Sequence, residues 1–142
     1  MTAKEYLNDI RKADIELTAL RLSIDRMREQ AQGVRAMQLS DMPKGGLPRG
    51  TDDVVAEIVD MQHDVNRRAL ALYKMQREAL QMIMQLTVTE QRAVLIRRYL
   101  CAESWDDIVD GMHYAYSGIF KLHGAALQAF ARVFDKEWRK VE

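Results

Sequence analysis

Apolar residues recur with a seven-residue period through the first part of the chain. One row has these members: Ile10, Leu17, Ile24 and Ala31. A companion row begins three residues later: Ala13, Leu20, Met27 and Val34. Paired rows with charged residues between them are the a and d positions of a helical seam. Thr2 and Glu5 form a capping box at its start, so the pattern predicts one long helix over residues 2–34.

A second long helix is predicted over residues 53–86. Its first row has four members: Ile58, Val65, Leu72 and Ala79. Its second row is interrupted by Arg68: Val54, Met61, Met75 and Met82. The intervening segment, residues 36–52, holds both prolines and three glycines, which predicts a mobile loop. Its glycines do not form the phosphate-binding G-x-x-x-x-G-K-[ST] motif.

Two long seamed helices joined by one loop predict an antiparallel helical hairpin over residues 1–86. Its methionine-rich row is typical either of an adaptable binding groove or of packing within the chain or between copies. Packing is the favoured interpretation. Because the seam spans some eight turns, we expect the hairpin to serve as an arm through which copies of the chain form a homo-oligomer.

Shorter helical patterns follow in residues 87–142. The expected order is a helix over residues 88–101, a short helix over 105–110, a corner over 111–114 and a last helix from 115 towards 138. Capping boxes at Thr87 with Glu90 and at Ser104 with Asp107 predict where the first two begin. The last helix is expected to bury one apolar face: Ile119, Leu122, Ala126, Leu127, Phe130 and Val133. Three arginines of the first helix are expected to stay solvated: Arg92, Arg97 and Arg98.

A short helix, a tight corner and a longer helix are the order of a helix-turn-helix, in which the longer helix enters the major groove of DNA. If the apolar face is buried, five residues face outwards: Tyr116, Ser117, Phe120, Lys121 and Gly124. Ser117 and Lys121 can bond bases or phosphates, and the aromatic rings can pack on sugars or thymine methyls. The alternative is a three-helix subdomain whose aromatic face docks on the hairpin or on a partner protein.

The overall composition constrains this interpretation. Hydrophobic residues make up 48% and charged residues 30%, which suits a soluble, helix-rich protein. No apolar run approaches the ~20 residues of a membrane span, and the single Cys101 fits a reducing cytoplasm. The 21 basic residues balance 21 acidic ones. A protein that holds DNA mainly through phosphates is usually basic, so DNA binding here must depend on local placement of charge.

Three segments of the C-terminal region carry a resemblance: "LTVTEQRAVLIRRYL", "SWDDIVDGM" and "IFKLHGAALQAF". Residues 87–130 resemble the region-4 helix-turn-helix of sigma-70-type factors. The whole chain is similar to small phage and prophage proteins that carry this module behind a coiled-coil arm, the late-transcription regulators grouped with ArpU and RinA. Arg98 and Tyr99 match the family's Arg-Tyr pair, Trp105 matches the aromatic that opens the short helix, and residues 121–124 match its Arg/Lys-Leu-His-Gly.

The resemblance implies a cytoplasmic DNA-binding transcription regulator of a bacterial host cell, acting on double-stranded DNA as an oligomer. The implied DNA-binding residues are Tyr116, Ser117, Phe120, Lys121, His123, Gly124, Arg97 and Arg98. Three positions depart from the family pattern. His113 stands at the corner glycine, Val109 stands at the small residue where the helices cross, and Ala115 stands at the serine that caps the last helix.

Two alternative functions remain. The first is an adaptor whose degenerate module binds RNA polymerase, a sigma factor or another phage protein. The second is a DNA-recognising small subunit of a packaging machine. The three histidines and Cys101 fit no zinc spacing, and no nucleophile, base and orienting group occur together, so neither a metal, a cofactor nor an enzymatic activity is expected.

Overall fold

The computed structural model describes residues 1–41 and 51–141, and the side chains of residues 1–37 and 52–140. These residues form five α-helices and one π-helical segment: α1 (Ala3–Asp41), α2 (Thr51–Ile83), α3 (Thr89–Leu95), the π segment (Ile96–Leu100), α4 (Trp105–Met112) and α5 (Tyr116–Val141). The described part of the chain contains no strand, so the all-α prediction is confirmed. None of its helices has the length and apolar composition needed to cross a membrane.

Both long helices extend beyond their predicted ends on the side of the loop. Residues 36–41 and residues 51–52, which were placed in the loop, are helical, so those bounds were wrong. Residues 36–39 (AMQL) are all compatible with a helix, and the first helix breaker is Pro43. The predicted mobile loop otherwise lies outside the described residues. The Thr2 capping box is confirmed, because Glu5 N donates to Thr2 Oγ1 at 3.1 Å and Thr2 N donates to Glu5 Oε2 at 2.8 Å.

The backbone forms two compact units. One of them, the helix-pair unit, contains residues 16–71, which comprise most of α1 and the first part of α2. Its two helices run antiparallel, because Arg68 pairs with Glu16 at 3.0 Å while Arg28 bonds Gln62 at 3.2 Å. The first rows of both helices are buried between them: Leu17, Ile24, Ile58 and Val65. The predicted hairpin packing is therefore present in this unit.

The other unit, the C-terminal unit, contains residues 1–15 and 72–142. The start of α1 packs on the second half of α5, where the Tyr6 ring lies 5.1 Å from Phe134 and 6.4 Å from Phe130. The Tyr6 hydroxyl donates to Glu78 of α2 at 3.0 Å, so three helices meet at this ring. The predicted functional boundary at residue 86 differs from this division by packing and stays a prediction.

On α5, three of the six residues expected to face inwards are fully buried, namely Ile119, Ala126 and Phe130. The other three are half-buried. Phe134, which the predicted inner face did not include, is 2% exposed. It stacks between Phe130 and Trp138, at centroid distances of 6.2 and 5.1 Å. The apolar face of α5 therefore includes Phe134, one residue beyond the predicted set, and this ring attaches the helix to α1.

Candidate nucleic-acid interface

Helices α4 and α5 are joined by a three-residue turn. α4 begins at an N-cap, Ser104, whose Oγ accepts a hydrogen bond from Asp107 N at 3.2 Å. It ends at His113, which has the left-handed backbone angles φ 60° and ψ 42° that usually favour glycine. α5 starts at Tyr116, and Ala115 before it has no side-chain oxygen with which to cap the helix. Two of the three noted departures therefore sit at this turn.

The helix predicted over residues 88–101 is divided in the structure. α3 ends at Leu95, and the chain continues as the π segment, which closes with Cys101 N donating to the Ile96 oxygen at 2.9 Å. The capping box predicted at Thr87 is wrong, because the N-cap is Val88 and no side chain caps the helix. Cys101, which follows the π segment, is exposed.

The outer face of α5 matches the predicted set. Ser117, Lys121 and Gly124 are exposed, and Tyr116 and Phe120 are each 48% exposed. A methyl group added at Gly124 would meet nothing within 4 Å. We call these five residues the α5 outer face. Among the described residues, Lys121 has no ion-pair partner, so its charge is available to a ligand.

Trp105 of α4 supports the outer face from behind. Its ring lies edge-on to Phe120 at 5.0 Å and to His123 at 4.8 Å, while the guanidinium carbon of Arg98 lies 4.5 Å above it. Tyr99 stacks on His123 and shares a hydrogen bond with its Nε2 at 2.7 Å. These five residues, the Trp105 cluster, fix the angle at which α5 leaves α4. Sequence reasoning identified Trp105 as an aromatic position but not these contacts.

Arg97 and Arg98 are held by the protein itself. Arg97 Nη1 lies 3.3 Å from both carboxylate oxygens of Glu103, and Arg98 Nη1 donates to the Glu103 carbonyl at 3.1 Å. The Arg97 guanidinium also lies against Gly111 of α4, where an added Cβ would collide with it. The expectation that these two arginines stay solvated is therefore wrong, since both are half-buried. They connect the π segment to α4.

His123 is a neutral member of the cluster. Its pKa is lowered to about 4, first by burial and then by the positive charges of Lys4 and Arg98. Burial also raises the pKa of the Tyr99 hydroxyl. Both groups are therefore uncharged near neutral pH, and their shared hydrogen bond needs no counterion. The structure thus places His123 on the inner edge of α5, beside the exposed residues rather than among them.

Two cations that the sequence did not single out lie near this cluster. Lys4 influences the charge of His123, and Arg11 influences those of Arg98 and Tyr99, so the first turns of α1 approach the same region. Arg11 Nε is buried without a hydrogen-bond partner. Arg98, whose pKa is lowered by burial and then by Arg11, therefore shares this region with two further cations. Helical spacing does not reveal them, because they are distant from the cluster in the chain.

The helix that precedes the turn has the opposite charge. Three aspartates on α4 are exposed: Asp106, Asp107 and Asp110. The first two lie in the first turn, where the helix dipole favours negative charge. In the described part of the chain, no group of three or more His, Cys, Asp or Glu side chains is placed to hold a metal ion. Positive charge near the turn thus comes from α5, the π segment and α1.

A family model described as "protein of unknown function (DUF1492)" matches residues 34–131, well over half of the chain. The chain belongs to this family. The DUF1492 match includes α2, the whole α3–π–α4 region and most of α5, and therefore contains the entire Trp105 cluster. No curated protein and no solved structure matches the chain.

Proposed function

We propose that this DUF1492 protein is a DNA-binding transcription regulator of the phage type, with α4 and α5 as a helix-turn-helix similar to sigma region 4. It acts as an oligomer on double-stranded DNA. The observation that carries the proposal is the α5 outer face. Three small or polar residues and two aromatic rings on the first turns of the longer helix are exposed. They follow a three-residue turn whose first residue, His113, has left-handed backbone angles.

The chemistry of that face suits a major groove. Lys121 and Ser117 supply donors for guanine or phosphate, and Phe120 and Tyr116 supply apolar surface for sugars or thymine methyls. Gly124 lets the DNA backbone approach closely, because no side chain stands there. Trp105 holds Phe120 in place, so the face is rigid before it meets a ligand, which lowers the entropy cost of binding.

The first turns of α1 supply the phosphate contacts that α5 lacks. Lys4 is exposed there. Cations that neutralise phosphates need only be close to the DNA, since these contacts carry no sequence information. In this proposal the exposed Lys4 and Lys121 supply the positive charge for DNA binding by a chain whose formal net charge is zero. It is expected to give a modest dependence on salt.

The test is fluorescence anisotropy with short duplexes, first a random-sequence pool and then the sequences selected from it, over a range of salt concentrations. Lys121→Ala is expected to weaken binding. A phosphate contact would lower affinity for all sequences and reduce the salt slope by about one unit. A base contact would instead relax preference at one position, at a cost of ~1–3 kcal/mol. Lys4→Ala is expected to give the phosphate result only.

Lys74→Ala is the control, because Lys74 is an exposed lysine on α2 that belongs neither to the α5 outer face nor to α1. It should leave both affinity and salt slope unchanged. The DNA-binding function would be rejected by unchanged affinity in Lys121→Ala, Ser117→Ala and Phe120→Ala together. It would equally be rejected if the wild type bound no duplex at low salt.

The exposed aromatic pair and the acidic α4 favour a second candidate, an adaptor that docks on RNA polymerase, a sigma factor or another phage protein. The ring centroids of Tyr116 and Phe120 lie 6.3 Å apart, and the two rings together form an apolar surface of the kind found at the centre of protein interfaces. Under this function, Phe120→Ala abolishes the protein complex and Lys121→Ala has little effect. Pull-down with purified polymerase holoenzyme, compared with the anisotropy data, separates the two functions.

A further inference from the structure

The helix-pair unit has two grooves, which lie on opposite sides of its buried seam. On α1, Met27 follows the buried Ile24 by three residues and Arg28 follows it by four, so the two side chains flank the buried row on opposite sides. On α2, Met61 follows the buried Ile58 by three residues and Val59 follows it by one, so these side chains also lie on opposite sides of the buried row. We call the groove that contains Met27 and Met61 the Met side, and the groove that contains Arg28 and Val59 the Val side.

The Met side is an apolar groove with an acidic edge. It has a volume of about 310 Å³, and Leu20, Met27 and Met61 contribute its apolar lining. Asp60 and Asp64 lie along its α2 edge, and Glu57 precedes Asp64 by seven residues on the same side. Arg68 also lies near, but it is already held by Asp64 and Glu16, each at 3.0 Å. The net charge of this edge is therefore negative.

The Val side is an apolar groove with a basic edge. It has a volume of about 220 Å³, and Val55, Ile58 and Val59 contribute its lining. Arg28 and Arg35 line its α1 edge, and Arg21 precedes Arg28 by seven residues. Val55 and Val59 are 41% and 46% exposed, and Met27 on the other side is 38% exposed. Both grooves thus expose apolar side chains to water, although the first apolar rows of the two helices are already buried against each other.

We infer that these two sides bind each other in neighbouring copies of the chain, the Met side of one copy on the Val side of the next. The two grooves offer apolar centres of similar size, and their edges carry opposite charge, which favours this register and disfavours pairing either side with itself. A contact between two different surfaces of one chain is heterologous, so it builds a closed ring or an open chain rather than a two-fold dimer. This inference rests on the self-association included in the proposed function.

The test reverses charge on one side at a time and measures mass by light scattering and native mass spectrometry. The acidic-edge variant carries Glu57→Arg and Asp60→Arg, and the basic-edge variant carries Arg21→Glu and Arg35→Glu. All four residues are exposed, so the fold should persist, which circular dichroism and the melting temperature check. Each variant alone is expected to be monomeric at tens of micromolar, where the wild type is an oligomer.

Rescue makes the test specific. One chain with all four substitutions again presents opposite charges and should recover the wild-type mass. An equimolar mixture of the two variants should assemble again, with the two chains alternating. A variant with Glu29→Arg and Asp135→Arg has the same charge change as the acidic-edge variant at exposed positions outside both grooves, and should stay oligomeric.

A monomeric wild type, an assembly that neither variant changes, or a loss of assembly that mixing does not restore would overturn the inference. The last result would mean that the two edges do not pair with each other. None of these measurements uses DNA. A chain that assembles as expected but binds no duplex would therefore reject the DNA-binding function and leave this interface intact. A chain that binds duplexes but does not assemble as expected would reject the interface and leave the DNA-binding function intact.

Discussion

One side-chain hydrogen bond caps the start of the short helix α4. Ser104 caps it through Asp107 N, while no side chain caps α3, although Thr87 stands in an equivalent sequence motif. Ser104→Ala is expected to lower the free energy of unfolding by about 1 kcal/mol, the usual value of a lost N-cap. Thr87→Ala is the matched control and should stay within about 0.5 kcal/mol of the wild type. Urea titration followed by circular dichroism measures both, and equal effects would contradict the assignment of the caps.

His123 makes the stability of the chain depend on pH. In the folded chain its pKa is lowered to about 4, whereas an unfolded histidine titrates near 6.5. Between these pH values the unfolded chain binds more protons than the folded chain. The contribution of the neutral His123 to the free energy of unfolding is therefore complete above pH 6.5 and is lost as the pH falls towards 4. We expect the melting temperature of the wild type to drop more between pH 7 and pH 4.5 than that of His123→Gln, which cannot titrate. Parallel curves would show that His123 is solvated.

Two glycines within helices allow an effect on helix stability to be distinguished from an effect on DNA binding. Gly33 in α1 and Gly124 in α5 both have open space where a Cβ would stand. Alanine at either position should stabilise its helix by about 0.5–1 kcal/mol, because glycine costs backbone entropy. Only Gly124→Ala should also weaken binding to duplex DNA, since the methyl group would stand on the α5 outer face. Thermal melts and the anisotropy assay measure the two effects. Unchanged DNA affinity in Gly124→Ala would count against close approach there.

Periodicity carries most of the information about the elements, and the places where it fails have physical causes. The rows through Leu17 and Val65 predicted both long helices, because each apolar row must be buried against another. Helix ends were predicted less well: α1 reaches Asp41 because no residue before Pro43 forbids a helix. The π segment, which contains the buried Tyr99, has no signal in the residue pattern.

For the molecule as a whole, the sequence located the candidate surface but not what supports it. The five outward residues of α5 follow from helical spacing alone. The contacts of Arg97 with Glu103 and of Lys4 with the Trp105 region depend on tertiary packing, because they join different elements. The net charge of the chain likewise did not indicate where its charged side chains lie. A chain with equal numbers of both signs still places an exposed Lys121 on α5 and three exposed aspartates on α4.

The π segment has a consequence for comparing this chain with its relatives. A π turn holds one more residue than the α turn it replaces, so it is equivalent to a single-residue insertion in a plain helix. A relative that lacks one residue between Leu95 and Cys101 would carry an unbroken α-helix there, and the positions after the gap would turn by about 100°. Arg98 and Tyr99 would then leave Trp105 and His123. A one-residue gap at this point of an alignment would therefore mark a rebuilt support for α5, and not a neutral length change.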